Sequence, residues 1–217
     1  MPLAVQARHG RGVNRPDMFT KEKRITKVLV IHPSPRGPIS DSRKLGEHIV
    51  ERLRARGGVT KVTVRDLAAD PVAHVDATLV KAMFTPEEAR SEADAAALRP
   101  SDELVDELLA ADVLVISVPI YNFNIPSVLK AWIDQIVRPG RTFLYHADGP
   151  EGLVVGKRAY VATTRGGAYV GTPMQSWDHQ EPHLRTILGF IGITDLTFVH
   201  AEGTVVDPDT VSRAEAG

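Results

Sequence analysis

Apolar residues fall into two kinds of pattern along this chain. Short unbroken runs read as strands buried on both faces: Lys27-Val28-Leu29-Val30-Ile31-His32, Val113-Leu114-Val115-Ile116-Ser117-Val118 and Arg158-Ala159-Tyr160-Val161-Ala162-Thr163. Leu196-Thr197-Phe198-Val199-His200 is a further run, and Val59 to Val64 alternates as a strand does. Between these runs, apolar residues recur at helical spacing: Leu45, Ile49, Val50 and Leu53; Leu104, Leu108 and Leu109; Leu129, Trp132, Ile133 and Ile136; Leu184, Ile187, Leu188 and Ile191. Gly57-Gly58 ends the first of these helices. Thr85-Pro86-Glu87-Glu88 has the form of a capping box with proline at the first helical position, which predicts a helix starting there. The stretch Pro71–Leu98 exceeds a minimal crossover and is expected to pack helices over one edge or face. Asp207 to Ala216 predicts the start of a final helix that stops early. Strands alternating with helices give an α/β fold: a doubly wound, five-stranded parallel sheet with helices on both faces.

Composition narrows this picture. The 217 residues suit one α/β domain and are short for two. A net charge of −1 gives no reason to expect nucleic acid or a membrane surface as partner. No apolar run approaches the roughly 20 residues of a membrane span. The absence of cysteine excludes disulfides, thiolate nucleophiles and cysteine-bound metal clusters, and it fits a reducing, cytoplasmic setting. Residues 1–24 stand apart from the domain, which is expected to cover 25–217. They carry Arg8, Arg11, Arg15, Lys21, Lys23 and Arg24 against Asp17 and Glu22, with no apolar signal core. They read as a disordered basic extension, with a start at Met18 or contact with a polyanion as the other readings.

Three loops follow strands at the edge where open α/β sheets bind ligands. The first carries Ser34, Ser40, Asp41 and Ser42 at the start of a helix. Free amides, the helix dipole and hydroxyls there suit a phosphate held without lysine, although Ser40 or Asp41 would serve equally as a helix cap. The second is Pro119-Ile120-Tyr121-Asn122-Phe123-Asn124-Ile125-Pro126-Ser127. Tyr121 and Phe123 could flank a flat heteroaromatic ring such as a flavin while Asn122 bonds its edge. Core packing of the aromatics, with Asn124 as a helix cap, is the plainer reading. The third, Thr164-Arg165-Gly166-Gly167, permits positive φ and close backbone approach, so its amides could face the ring edge where a reduced flavin holds negative charge. Arg165 could attract an anion or form a surface ion pair.

These stretches resemble the FMN-dependent NADH azoreductases, flavodoxin-like relatives of the NAD(P)H:quinone oxidoreductases. The resemblance rests on Lys27-Val28-Leu29-Val30, Ser40-x-Ser42, Arg65-Asp66-Leu67 and Tyr121-Asn122-Phe123-Asn124-Ile125-Pro126-Ser127-x-Leu129-Lys130. Gly140-x-Thr142-Phe143-x-Tyr145, Gly149-Pro150-x-Gly152-Leu153, Arg165-Gly166-Gly167 and Gly189-Phe190-Ile191-Gly192-Ile193 extend it in the same order to about Glu202. It implies bound FMN, with its phosphate on Ser34, Ser40 and Ser42 and its ring on Ile120–Phe123 and Thr164–Gly167. It implies hydride transfer from NADH or NADPH to quinones and azo compounds by a ping-pong mechanism, and a homodimer with sites near the subunit interface. Tyr145 would lie over the flavin and Tyr169 beside the substrate. Departures are Pro33 where serine is common, Pro35 and Pro38 in a usually more open loop, Ile120 for methionine and Thr164 for serine. A flavodoxin-type one-electron carrier is the alternative, disfavoured by the near-neutral charge and the length.

Other signals are weaker. His179 and His183 have the spacing of a helical zinc pair, but Pro182 intervenes and no third ligand is evident, so no metal is expected. Gly152 to Arg158 falls short of a phosphate loop and reads as a turn. No GxGxxG follows a strand, so a nicotinamide-binding Rossmann unit is not indicated. Lys130 and Asp134 read as a surface pair.

Overall fold

A computed structural model describes residues 27–207 and 209–216, so the basic segment 1–24 lies outside the described residues. Five parallel strands form the sheet: β1 (Lys27–His32), β2 (Lys61–Asp66), β3 (Val113–Pro119), β6 (Arg158–Arg165) and β7 (Asp195–Glu202), in the order β2-β1-β3-β6-β7. Between β3 and β6 lies an antiparallel hairpin of β4 (Phe143–His146) and β5 (Gly149–Gly152). The chain order reverses between β1 and β3, which is the topological switch point of a flavodoxin-like sheet.

Helices cover both faces. α1 (Asp41–Ala55) and α6 (Thr210–Ala216) bury Leu45, Ile49, Leu53 and Val211 against Val28, Val30, Val113 and Val115. On the other face α3 (Glu92–Ala110), α4 (Ser127–Ile136) and α5 (Gln180–Phe190) bury Leu104, Leu108, Leu129, Trp132, Leu184 and Leu188 against Leu29, Ile31, Leu114 and Ile116. Alternate β1 and β3 residues thus enter opposite cores, which is why those strands are apolar throughout. α2 (Ala77–Phe84) packs on α3 through Leu79, Ala82, Met83 and Leu98, so the long 71–98 stretch carries a helix that lies against α3.

The helix expected at Pro86 is absent, and only a single 3₁₀ turn spans Glu87–Ala89. Thr85 points the other way: its hydroxyl donates to the Lys81 carbonyl at 2.8 Å, closing α2 instead of opening a helix. The true capping box lies six residues on. Ser91 Oγ accepts from the Asp94 amide, and the Asp94 carboxylate accepts from the Ser91 amide. Leu109 belongs to α3 but is 38% exposed, at the edge of the helix's apolar stripe.

Candidate functional site

The loops after β1, β3 and β6 meet because those strands are neighbours. Ile31 pairs with Ile116 and Pro119 with Thr164, so the three strands end at nearly one level. The Ile120 amide donates to the Thr164 carbonyl at 2.9 Å, joining the second loop to the third.

In the first loop, Gly37 at φ +56° turns the chain so that the Ser40 amide donates back to its carbonyl. Ser40 then occupies the N-cap position of α1, yet its hydroxyl caps nothing. It lies 3.1 Å from the Ser42 hydroxyl, and both side chains are buried together with Ser34. The plain capping role is therefore not the one these hydroxyls play. Two buried hydroxyls beside the unpaired first-turn amides of a helix make a seat for a phosphate monoester. Asp41 sits at the rim, paired with Arg36 at 3.2 Å and Lys44 at 3.5 Å.

Arg65-Asp66-Leu67 braces this loop from below. The Leu67 amide donates to the His32 carbonyl at 2.9 Å, and Asp66 forms an ion pair with Arg43 of α1. Burial pushes the Asp66 carboxyl up, but Arg43 and the Ala68 and Ala69 amides outweigh it and hold the carboxyl below its ordinary range. His32 is buried, and its Nδ1 has no hydrogen-bond partner. Burial, reinforced by Arg43, lowers its pKa to about 4.

The second loop is a two-residue hairpin. Tyr121 and Asn124 exchange both backbone hydrogen bonds, at 2.8 and 3.0 Å, around Asn122 at φ +46° and Phe123 at φ +67°. Positive φ at both central residues is the type I′ signature; asparagine tolerates it, while phenylalanine is strained there. The turn leaves Tyr121 and Phe123 partly exposed instead of packed in the core. Asn124 caps no helix: its side chain accepts from the adjacent Ile125 amide, and Pro126 stands at the N-cap of α4. Beside the hairpin a cleft of about 540 Å³ is lined by Tyr121, Asn122, Ile125, Lys130 and His183 among others. Burial, aided by Lys130, lowers the His183 pKa below its ordinary value.

In the third loop neither glycine adopts a positive φ, contrary to expectation. Space favours glycine at only one of the two positions. A Cβ on Gly166 would come within 3.1 Å of Val205, while one on Gly167 would meet only Met174 and Tyr169 at ordinary contact distance. The carbonyls of Arg165, Gly166 and Gly167 are all committed to the amides of 203–205.

Arg165 corrects the sequence reading most sharply. Its side chain is 1% exposed and forms neither a surface pair nor an anion trap. Nη1 donates to Glu202 and Nη2 to Asp178, both at 2.7 Å, with Glu181 at 3.7 Å. Glu202 in turn accepts the Tyr169 and Val170 amides, and Asp178 Oδ1 caps α5 through the Gln180 and Glu181 amides. His200 joins the cluster, 3.1 Å from Glu181 and 2.6 Å from the Thr163 hydroxyl. Burial and Arg165 hold its pKa below the ordinary histidine value despite these carboxylates. The guanidinium thus ties the ends of β6 and β7, the 169–170 turn and the start of α5 into one unit.

The two tyrosines differ. Tyr145 on β4 is 70% exposed and packs edge-on against Phe143. Tyr169 is buried, its ring 5.5 Å beneath the Arg165 guanidinium, and so does not stand on the open surface. Sequence reasoning missed Gln180, which is fully buried and donates from Nε2 to the Pro119 carbonyl at 3.0 Å. It also missed Trp177. The Asp178-x-Gln180-Glu181 spacing before an apolar stripe was an available helix-start signal. Among the described residues no group of three or more His, Cys, Asp or Glu could hold a metal, and no helix is long and apolar enough to cross a membrane.

Residues 26–216 match the profile of the flavodoxin-like fold family. An FMN-dependent NADH:quinone oxidoreductase 2 of Pseudomonas fluorescens is 51% identical over 179 residues, covering 82% of this chain and 88% of that protein. An FMN-dependent NADH:quinone oxidoreductase of Burkholderia pseudomallei is 46% identical over 88% of this chain and 96% of its own length. Among solved structures, an FMN-dependent NADH-azoreductase from Bacillus anthracis in complex with FMN superposes with a TM-score of 0.79 at 27% identity, covering 88% of this chain and 95% of that one. The chain belongs to the FMN-dependent NADH:quinone oxidoreductase family, within the flavodoxin-like fold.

Proposed function

We propose that this chain binds FMN at the switch point and carries hydride from NADH, or NADPH, to small planar acceptors, quinones and azo compounds. The observation that carries the reading is the buried Ser40–Ser42 hydroxyl pair, left free of capping duty at the start of a long helix. That chemistry suits a dianionic phosphate, and the strained aromatic hairpin and the glycine loop beside it suit a ring. Relatives named for FMN, NADH and quinones support the substrate classes.

When bound, FMN supplies the two-electron hydride chemistry. The protein's part is to hold and orient. Ser34, Ser40, Ser42 and the first amides of α1 take the phosphate, with Asp41 at the rim. Ile120, Tyr121, Asn122 and Phe123 line one side of the ring. Thr164, Arg165, Gly166 and Gly167 line its edge through backbone, the Arg165 side chain being the anchor beneath. Tyr145, exposed on the β4–β5 hairpin, would cover the ring, in a homodimer whose subunits would meet near the site and work in the cytoplasm. Donor and acceptor use the site in turn, which is ping-pong kinetics.

The test is flavin binding by apoprotein, followed by quenching of flavin fluorescence. Loss of one hydroxyl donor to a charged phosphate costs roughly 1.5–3 kcal/mol. Ser42→Ala is therefore expected to weaken FMN at least about tenfold while leaving riboflavin, which lacks the phosphate, unaffected. Equal losses for both flavins would remove the phosphate from this loop.

A further inference from the structure

We propose that Trp177 and Phe123 form an aromatic shelf that binds the planar acceptor and sets its preferred ring size; the inference rests on the quinone-reducing reading above. Trp177 is 52% exposed and Phe123 43% exposed, and their rings meet edge to face with centroids 5.6 Å apart at 75°. Large aromatics left half in solvent at the rim of a candidate ring site are unusual, and these two are held there. Thr172 caps the 3₁₀ turn Pro173–Trp177 by accepting the Met174 amide. On the far side of Trp177, Asp178 is fixed by the buried Arg165, and the His179 amide donates to the Phe123 carbonyl at 3.0 Å. Phe123 itself sits at φ +67°, a strained conformation that surrounding contacts must hold. The network beneath the third loop therefore positions an indole beside the second loop, 12 residues after the Arg165 it depends on.

An exposed edge-to-face pair offers one ring face and one ring edge to a third aromatic molecule. Such contacts are worth a few-fold to about tenfold in affinity per added ring contact. A two-ring quinone gains from the shelf and a one-ring quinone gains less. Tyr169, buried under Arg165, is not placed to make this contact.

The experiment uses FMN-loaded wild type, Trp177→Ala and Trp177→Phe with 1,4-naphthoquinone and 1,4-benzoquinone. Trp177→Ala is expected to raise the naphthoquinone-to-benzoquinone KM ratio roughly 2- to 12-fold, and Trp177→Phe is expected to restore most of it. A binding readout runs beside it. Trp132 is fully buried, so Trp177 is the solvent-facing indole among the described residues. In oxidised protein without NADH, naphthoquinone is expected to quench its emission saturably, and Trp177→Phe to abolish that component. An unchanged KM ratio, a Trp177→Phe variant as impaired as the alanine, or purely collisional quenching would overturn the shelf. So would a changed oligomeric state with an unchanged ratio, which would make Trp177 an interface residue. If neither NADH nor NADPH bleaches the wild-type flavin, the parent reading fails and the shelf fails with it.

Discussion

At the scale of single residues, buried polar groups beside the loop after β1 tie stability to pH. His32 lies two residues before Ser34, is buried, and takes up its proton only near pH 4 in the folded protein. In the unfolded chain it protonates near 6.5. Its native pKa is depressed, so the unfolded state gains protons first as pH falls. Stability from this group is intact above about 6.5, is lost as pH falls towards 4, and is gone below that. Linkage gives a loss of about 2 kcal/mol between pH 7 and pH 5. Denaturant unfolding should show that loss in wild type and a correspondingly smaller loss in His32→Gln; equal losses would place the acid sensitivity elsewhere. The sequence showed this histidine at a strand end but not its electrostatic surroundings, because Arg43 and Asp66, which act on it, come from other elements. Arg165 was hidden for the same reason. Its partners Asp178, Glu181 and Glu202 lie 13 to 37 residues away, and only the β6–β7 pairing and the start of α5 gather them.

At the scale of elements, legibility followed local pattern. β1, β3 and β6 were readable as apolar runs because both faces are covered, the half-exposed edge strand β2 by its alternation, and α1, α4 and α5 as stripes because one face is buried. The β4–β5 hairpin was not readable. Each strand has four residues, β5 is Gly-Pro-Glu-Gly, and β4 buries only Phe143, so neither buried run nor alternation marks them. What holds the hairpin is a close backbone approach. The Val154 amide donates to the Ile191 carbonyl at 2.8 Å, and Gly192 turns at φ +102° against Gly152. A Cβ on Gly152 would lie 2.2 Å from the Gly192 nitrogen and 2.4 Å from the Ile191 carbonyl carbon, both backbone atoms that cannot swing aside. Gly152→Ala is thus expected to destabilise by about 3 kcal/mol or more, read from the denaturation midpoint. A midpoint within error of wild type would show that the hairpin does not pack there.

At the scale of the whole molecule, the order β2-β1-β3-β6-β7 does what none of the three loops does alone. It sets the serine loop after β1, the aromatic hairpin and the glycine loop side by side, with Arg165 and Gln180 fastening the last two to α5. Each loop by itself was open to a plainer reading; their convergence comes from the strand order, and it is the ground of the proposed flavin site. The most direct test mixes FMN-loaded protein anaerobically with NADH in a stopped-flow instrument and follows the oxidised-flavin absorbance band. The expected result is rapid bleaching in one two-electron step, reversed on adding a quinone. Bound flavin that neither NADH nor NADPH bleaches, or bleaching that a quinone does not reverse, would contradict it.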